Sequence, residues 1–231
     1  MTEPSEEEIA TFERVKAYFL EEADKRRYGY LKENDSLFAV GNWTVQVGGM
    51  NRFEDPWTRY QEGYYDVAHQ AIESMESGLR EKWLVYPILF LYRHYLELML
   101  KSILIEASAT FHEPIPKGVE GEHNLSNLWE TLRTMVDKHR AGPMLKRSDK
   151  VSRILAQFTL IDPASMETRY GLKKDLATPS IRHGRDVSLE NLQTVMSRMY
   201  NELNNLQINF QYAYEAFFQE PVEDDLTKST T

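Results

Sequence analysis

Apolar residues recur at steps of three and four along most of the chain, which predicts a mainly α-helical fold. The clearest series lies near the C-terminus and comprises Leu189, Leu192, Met196, Met199, Leu203, Leu206, Phe210, Ala213 and Phe217. This spacing persists over about four heptads and is typical of the contact seam between long helices. The seam predicts packing either within one bundle or against a second copy of the chain.

The same periodicity predicts further helices upstream of the seam. They run from about Pro56 to Gly78, from Glu81 to Ala109, from Asn124 or Ser126 to Gly142, and from Ser148 to Leu160. Pro87 either kinks the second of these helices or marks its true beginning. Residues 161–187 contain prolines and glycines and predict a long ordered loop, a type of segment that often carries function.

The N-terminal quarter has a different pattern. A helix is predicted from Ile9, and the alternating apolar residues over 36–50, interrupted by glycines, predict a small β-hairpin-like element. The sequence after Pro221 is acidic and then rich in Ser and Thr, as in disordered tails. We therefore divide the chain into an N-terminal helix and hairpin segment (1–55), a helical bundle (56–220) and a disordered tail (221–231).

Composition and charge narrow the classes of protein. The 231 residues include no cysteine, which excludes disulfides and thiolate metal sites. The N-terminus lacks an apolar signal sequence, and the longest apolar run, Leu84 to Tyr92, is too short to cross a membrane. We expect a cytoplasmic protein that does not contact membranes. The net charge of −9 argues against generic coating of nucleic acid but allows a local basic patch.

Motifs for cofactors and metals are missing from the sequence. It contains no Walker A loop, no GxGxxG fingerprint, no HExxH pair and no GxSxG elbow. We therefore expect no cofactor and no metal site.

One apolar helix carries a narrow polar stripe. Between Leu84 and Ile105 nearly every residue is apolar, and the charged or imidazole side chains are Arg93, His94, Glu97 and Lys101. At about 100° per residue, these four side chains fall within one sector of about 100°. The stripe is either the solvated edge of a core helix, with ion pairs at four-residue spacing, or the wall of a cleft that presents cations to an anion.

Two further polar clusters accompany this stripe. His123 lies in the stretch Glu122 to Leu125, where the residues either cap a helix or belong to a site. The long loop is the most basic part of the chain and is either solvated or a rim that binds phosphate. Its candidate residues are Arg169, Tyr170, Lys173, Lys174, Arg182, His183 and Arg185.

Three stretches together resemble bacterial proteins of the HEPN superfamily. They are YPILFLYRHYLELMLKSIL (86–104), GEHNLSNLW (121–129) and METRYG (166–171), and the resemblance extends over about 56–215. It implies a helical bundle that is often a homodimer. It also implies RNA cleavage without a metal, in toxin–antitoxin, antiviral defence or stress systems.

The catalytic signature of that superfamily is an arginine followed by four to six residues and a histidine. The matching pair here is Arg133 and His139. In such a pair, the histidine serves as acid or base while the arginine stabilises the charge on phosphorus. An alternative catalytic set comprises Arg93, His94 and His123, with Glu97, Lys101, Arg169, Tyr170, Arg182, His183 and Arg185 binding substrate.

Two functional hypotheses follow from the sequence. The first is a HEPN-like endoribonuclease or toxin-type effector with RNA as its partner. The second is a non-catalytic helical module that binds a protein partner or a second copy of the chain.

Overall fold

The computed structural model describes residues 56–75, 81–145, 148–163, 165–181 and 186–218, all within the unit that spans Met50–Thr231. Within these ranges the fold is mainly α, as predicted, and contains no β-strand; an isolated bridge joins Leu172 and Pro179. The predicted N-terminal helix, the hairpin and the C-terminal tail lie outside the described residues.

The described part contains five α-helices, and their bounds follow the sequence periodicity closely. They are α1 (Pro56–Glu73), α2 (Val85–Thr110), α3 (Leu125–Lys138), α4 (Ser148–Ile161) and α5 (Leu189–Phe218). Pro87 lies in the first turn of α2. The N–H groups of a first turn have no partner within the helix, so the N–H that proline lacks costs no hydrogen bond. A short 3₁₀ turn, Glu81–Leu84, precedes it, so Pro87 marks the beginning of the helix and not a kink.

Helix α2 is the centre of the bundle. Helices α1, α3 and α5 all pack against it, and α4 packs against α3. Sixteen of its 26 residues are buried, because neighbours cover it on several sides. Since polar side chains on such a helix cannot all reach water, its polar stripe must find partners inside the protein.

The seam of α5 is buried within this chain. Its buried members are Leu192, Met196, Met199, Leu203, Leu206 and Phe210. They contribute to the core shared with α1 and α2, so the heptad pattern is accounted for by intramolecular packing. None of the described helices is long and apolar enough to span a bilayer.

Candidate functional site

The polar stripe of α2 points into the protein. Arg93 has no solvent exposure, and all the polar edges of its guanidinium are used. Its Nη1 donates to Glu97 Oε2 at 3.1 Å, its Nε donates to the Asp162 carbonyl at 2.9 Å, and its Nη2 donates to the His123 carbonyl. Arg93 therefore ties α2 to the two loops that contain His123 and Asp162.

Glu97 joins the charged side chains of this cluster. Its Oε1 accepts hydrogen bonds from Lys101 Nζ at 3.1 Å and from His123 Nδ1 at 2.9 Å. Burial alone would raise the pKa of the Glu97 carboxyl, but the hydrogen bonds from Lys101 and His123 outweigh it and lower that pKa. Glu97 is consequently an anion at neutral pH and balances the buried cations beside it.

Lys101 completes the stripe. Its Nζ also donates to the Glu120 carbonyl at 3.1 Å, in the short 3₁₀ turn Val119–Gly121. The ion pairs predicted at four-residue spacing form, but protein encloses them and they do not lie at a solvated edge. Arg93 and Lys101 are buried and paired, so neither presents its charge to an external anion.

His123 differs from these residues because its ring is open to solvent. The side chain is 55% exposed, and its Nε2 has no hydrogen-bond partner among the described residues. Just before α3, Glu122 Oε1 accepts the N–H groups of His123 and Asn124, at 2.9 and 2.7 Å. Asn124 then caps α3 by accepting from the N–H groups of Ser126 and Asn127, so the predicted capping interaction is confirmed.

Asp162 holds the loop that follows α4. Its carboxylate accepts the N–H groups of Met166, Glu167 and Thr168 at 2.7, 3.1 and 3.2 Å, and also the Thr168 hydroxyl. Burial would raise the pKa of Asp162, but the hydrogen bonds and the Arg93 charge lower it. Burial and the neighbouring Asp162 charge raise the pKa of Glu167.

This loop carries Arg169 to the surface beside α2. The Arg169 guanidinium carbon lies 4.8 Å from the centre of the Phe90 ring, a cation–π contact. Phe90 stacks along the same helix face on His94, with ring centres 5.7 Å apart and planes 12° apart. Among the described residues Arg169 makes no ion pair, so its charge is available to a ligand.

His94 is partly buried between this group and α1. The Tyr64 ring meets it edge-on at 4.5 Å, and its Nδ1 is buried without a hydrogen-bond partner. Burial is the main cause that lowers the His94 pKa, and the charge of Arg169 adds to it. The imidazole is therefore neutral near pH 7.

The remaining sequence candidates have other surroundings. Arg133 pairs with Glu130 at 3.3 Å on the surface of α3. His139 follows the end of α3. Its ring stacks on Phe111 with ring centres 4.2 Å apart, and its Nε2 forms a hydrogen bond with Glu113 Oε1 at 2.9 Å. These two residues make no contact with each other or with the Arg93 cluster among the described contacts.

Tyr170 is half exposed next to Arg169 in the same loop. Arg182, His183 and Arg185 lie outside the described residues. Among the described residues, no group of three His, Asp or Glu could hold a metal ion.

Sequence reasoning missed Asp162 as a part of the site. Asp162 follows directly after α4 and precedes a proline, a position typical of loop carboxylates that accept backbone N–H groups, so a signal was present. Phe90 lies four residues before His94, and this helical spacing places both rings on one face of α2.

It also missed a second polar cluster between α1, α2 and α5. His69 Nδ1 lies 2.7 Å from the Tyr92 hydroxyl, and its Nε2 lies 3.0 Å from Ser197 Oγ. Ser197 donates to the Gln193 carbonyl at 2.9 Å, so its oxygen accepts from His69. The hydrogen bonds of this cluster are satisfied internally, and it serves helix packing.

Comparisons with protein-family models, with curated proteins and with solved structures found no match to this chain.

Proposed function

We propose that the protein is a HEPN-like endoribonuclease, a toxin-type effector of a bacterial defence or stress system, and that it cleaves RNA without a metal. The observation that carries this proposal is the His123–Glu97 pair. An ionised carboxylate that accepts from Nδ1 fixes the ring orientation and leaves Nε2 with its lone pair toward solvent. This is the arrangement of a general base.

The reaction that fits this geometry uses the 2′-hydroxyl of the substrate. His123 Nε2 accepts the hydroxyl proton, the 2′-oxygen forms a bond to phosphorus, and the bond to the 5′-oxygen breaks. The leaving 5′-oxygen takes a proton from solvent, and the products are a 2′,3′-cyclic phosphate and a 5′-hydroxyl. Glu97 stabilises the imidazolium that forms on His123, because the two groups are hydrogen-bonded.

Arg169 supplies the positive charge in this proposal. Arg93 and Lys101 are buried and paired, whereas the Arg169 guanidinium has no anionic partner among the described residues. Planar guanidinium groups bind phosphate oxygens in pairs and stabilise charge on phosphorus. Arg169, and not Arg93, therefore supplies the charge that stabilises phosphorus in this proposal. Arg93 instead holds the loops at His123 and Asp162 through their carbonyls.

The test is cleavage of end-labelled single-stranded RNAs by highly purified protein in the presence of EDTA. His123→Ala is expected to lower the rate by about a hundredfold or more. Arg153→Ala removes an exposed cation from α4 and is expected to leave the rate unchanged. RNA with a 2′-deoxy substitution at the cut position should resist cleavage. Equal cleavage by wild type and His123→Ala, or no cleavage by wild type of any RNA in a varied panel, would refute the proposal.

A second candidate function is a non-catalytic helical module that binds a second copy of the chain. The observation that favours it is a groove between α4 and α5. Three cavities of about 270, 520 and 350 Å³ follow one another along it: Val151 and Glu202 line both the first and the second, and Ile154 and Val195 line both the second and the third. A groove between two helices with apolar lining accepts the apolar face of a third helix.

The oligomeric state tests this second function. If the groove joins two copies, Val195→Lys should halve the mass measured by light scattering, while His123→Ala should leave the mass unchanged. A wild-type protein that is monomeric at high concentration would contradict it.

A further inference from the structure

We infer that His94 is a neutral hydrogen-bond donor which, together with Arg169, holds a phosphate oxygen of a nucleotide. Proton transfer then belongs to His123 and not to His94. This inference rests on the proposed function for the identity of its ligand, but the tests below do not require cleavage.

The first step concerns which ring nitrogen of His94 carries the proton. Nδ1 is buried and has no hydrogen-bond partner. The same is not true of Nε2. A buried N–H without an acceptor costs more free energy than a buried lone pair without a donor, and orphaned N–H groups are rare in proteins. The proton of the neutral ring therefore resides on Nε2 and points toward solvent.

The second step concerns the charge of the ring. The charged groups that face His94 are Arg93, Glu97 and Lys101 from its own helix and Arg169 from the loop, and α1 contributes the uncharged edge of Tyr64. Three of these four charges are positive and oppose a charge on the imidazole, as does burial. Only Glu97 favours protonation, and its carboxylate is already hydrogen-bonded to other donors.

The third step is the juxtaposition with Arg169. The guanidinium of Arg169 and the imidazole of His94 both lie against the Phe90 ring, at 4.8 and 5.7 Å from its centre. Contact with the same ring brings a cation and a neutral donor to one region beside α2. One phosphate group can accept hydrogen bonds from both, because it offers several oxygens and the guanidinium binds in a planar, paired manner.

Nitrogen NMR of histidine-labelled wild-type protein tests the protonation state. His94, assigned by the loss of its signal in His94→Gln, should show the neutral Nε2–H form at pH 7 and should titrate below the ordinary histidine pKa of 6.5. A proton on Nδ1, or a change of charge near the ordinary histidine pKa of 6.5, would overturn the inference.

Ligand binding tests the donor role, with inorganic phosphate and a diribonucleoside monophosphate as the probes. The glutamine amide reaches the position of Nε2, whereas the asparagine amide reaches only that of Nδ1. His94→Gln should therefore keep the affinity for the dinucleotide within about threefold, and His94→Asn should lower it about tenfold or more. Arg169→Ala should lower it at least as much, while Arg153→Ala should have no effect.

The outcomes separate this inference from the proposed function. If the dinucleotide binds with this pattern but no RNA is cut, the inference stands and the nuclease proposal fails. If RNA is cut and His94→Asn binds and cleaves like wild type, the inference is overturned. If only inorganic phosphate binds, its assignment to a nucleotide is overturned.

Discussion

Removing the negative charge of Glu97 should destabilise the protein far more than removing a glutamate charge from the surface. Glu97 is 3% exposed and accepts hydrogen bonds from Arg93, Lys101 and His123. In Glu97→Gln, the neutral amide can still accept one of these bonds but cannot balance two buried cations. Arg93 keeps the Asp162 carboxylate at 3.8 Å, but Lys101 loses its anion. Breaking a buried ion pair by removing one partner costs about 3–5 kcal/mol, because the other charge is left uncompensated.

Glu130→Gln is the matched control. Glu130 also pairs with an arginine on its own helix, at 3.3 Å, but its side chain is 66% exposed. Exposed pairs of this kind contribute about 0.2–1 kcal/mol at most, since water screens them and side-chain entropy opposes them. The two substitutions are chemically identical, so the difference between them measures burial.

Urea denaturation followed by circular dichroism gives the free energy of unfolding of each variant. With a denaturant dependence of about 2 kcal/mol per molar urea, Glu97→Gln should lower the midpoint by about 1.5–2.5 M, and Glu130→Gln by less than about 0.5 M. Equal midpoints for the two variants at neutral pH would refute the conclusion that the stripe of α2 is an enclosed ion cluster.

Three other predictions test the loops and the core. Asn124→Ala should cost about 1 kcal/mol of unfolding free energy through loss of the α3 cap, while Asn124→Asp keeps it; an equal loss in both variants would argue against capping. Because the pKa of Asp162 is lowered, its contribution to stability is present above its ordinary pKa of 3.8 and is lost as the pH falls through the folded value. The free energy of unfolding should therefore fall more steeply in wild type than in Asp162→Asn below about pH 5, and parallel curves would contradict this. Leu203→Ala should cost about 2–5 kcal/mol without changing the mass in light scattering, because Leu203 is fully buried in its own chain. Leu176→Ala, at an exposed position, is the control. A change of mass without a loss of stability would point to a dimer seam.

The periodicity of the sequence was sufficient to locate the described helices. Helices α1 to α5 begin and end close to the predicted residues, because amphipathic spacing, proline in a first turn and an asparagine cap are local signals. The same periodicity placed Arg93, His94, Glu97 and Lys101 on one face of α2. It could not say whether water or protein lies opposite that face.

Several features of the site depend on residues far apart in the chain. Arg93 meets the carbonyl of Asp162 across 69 positions, and Arg169 reaches the Phe90 ring from a loop whose path the Asp162 carboxylate determines. No pattern of neighbouring residues predicts contacts between residues so far apart in the sequence. The heptad seam of α5 likewise fitted both a bundle and a dimer until the fold placed α1 and α2 against it.

The sequence by itself determined which segments are helical and which side chains share a helix face, because both depend on neighbours within a few residues. Tertiary structure alone decided that Arg93 and Lys101 are enclosed and paired while His123 and Arg169 remain open to solvent. The physical reason is that burial is a property of packing: a cation on α2 loses its water only when the loops at His123 and Asp162 close over it.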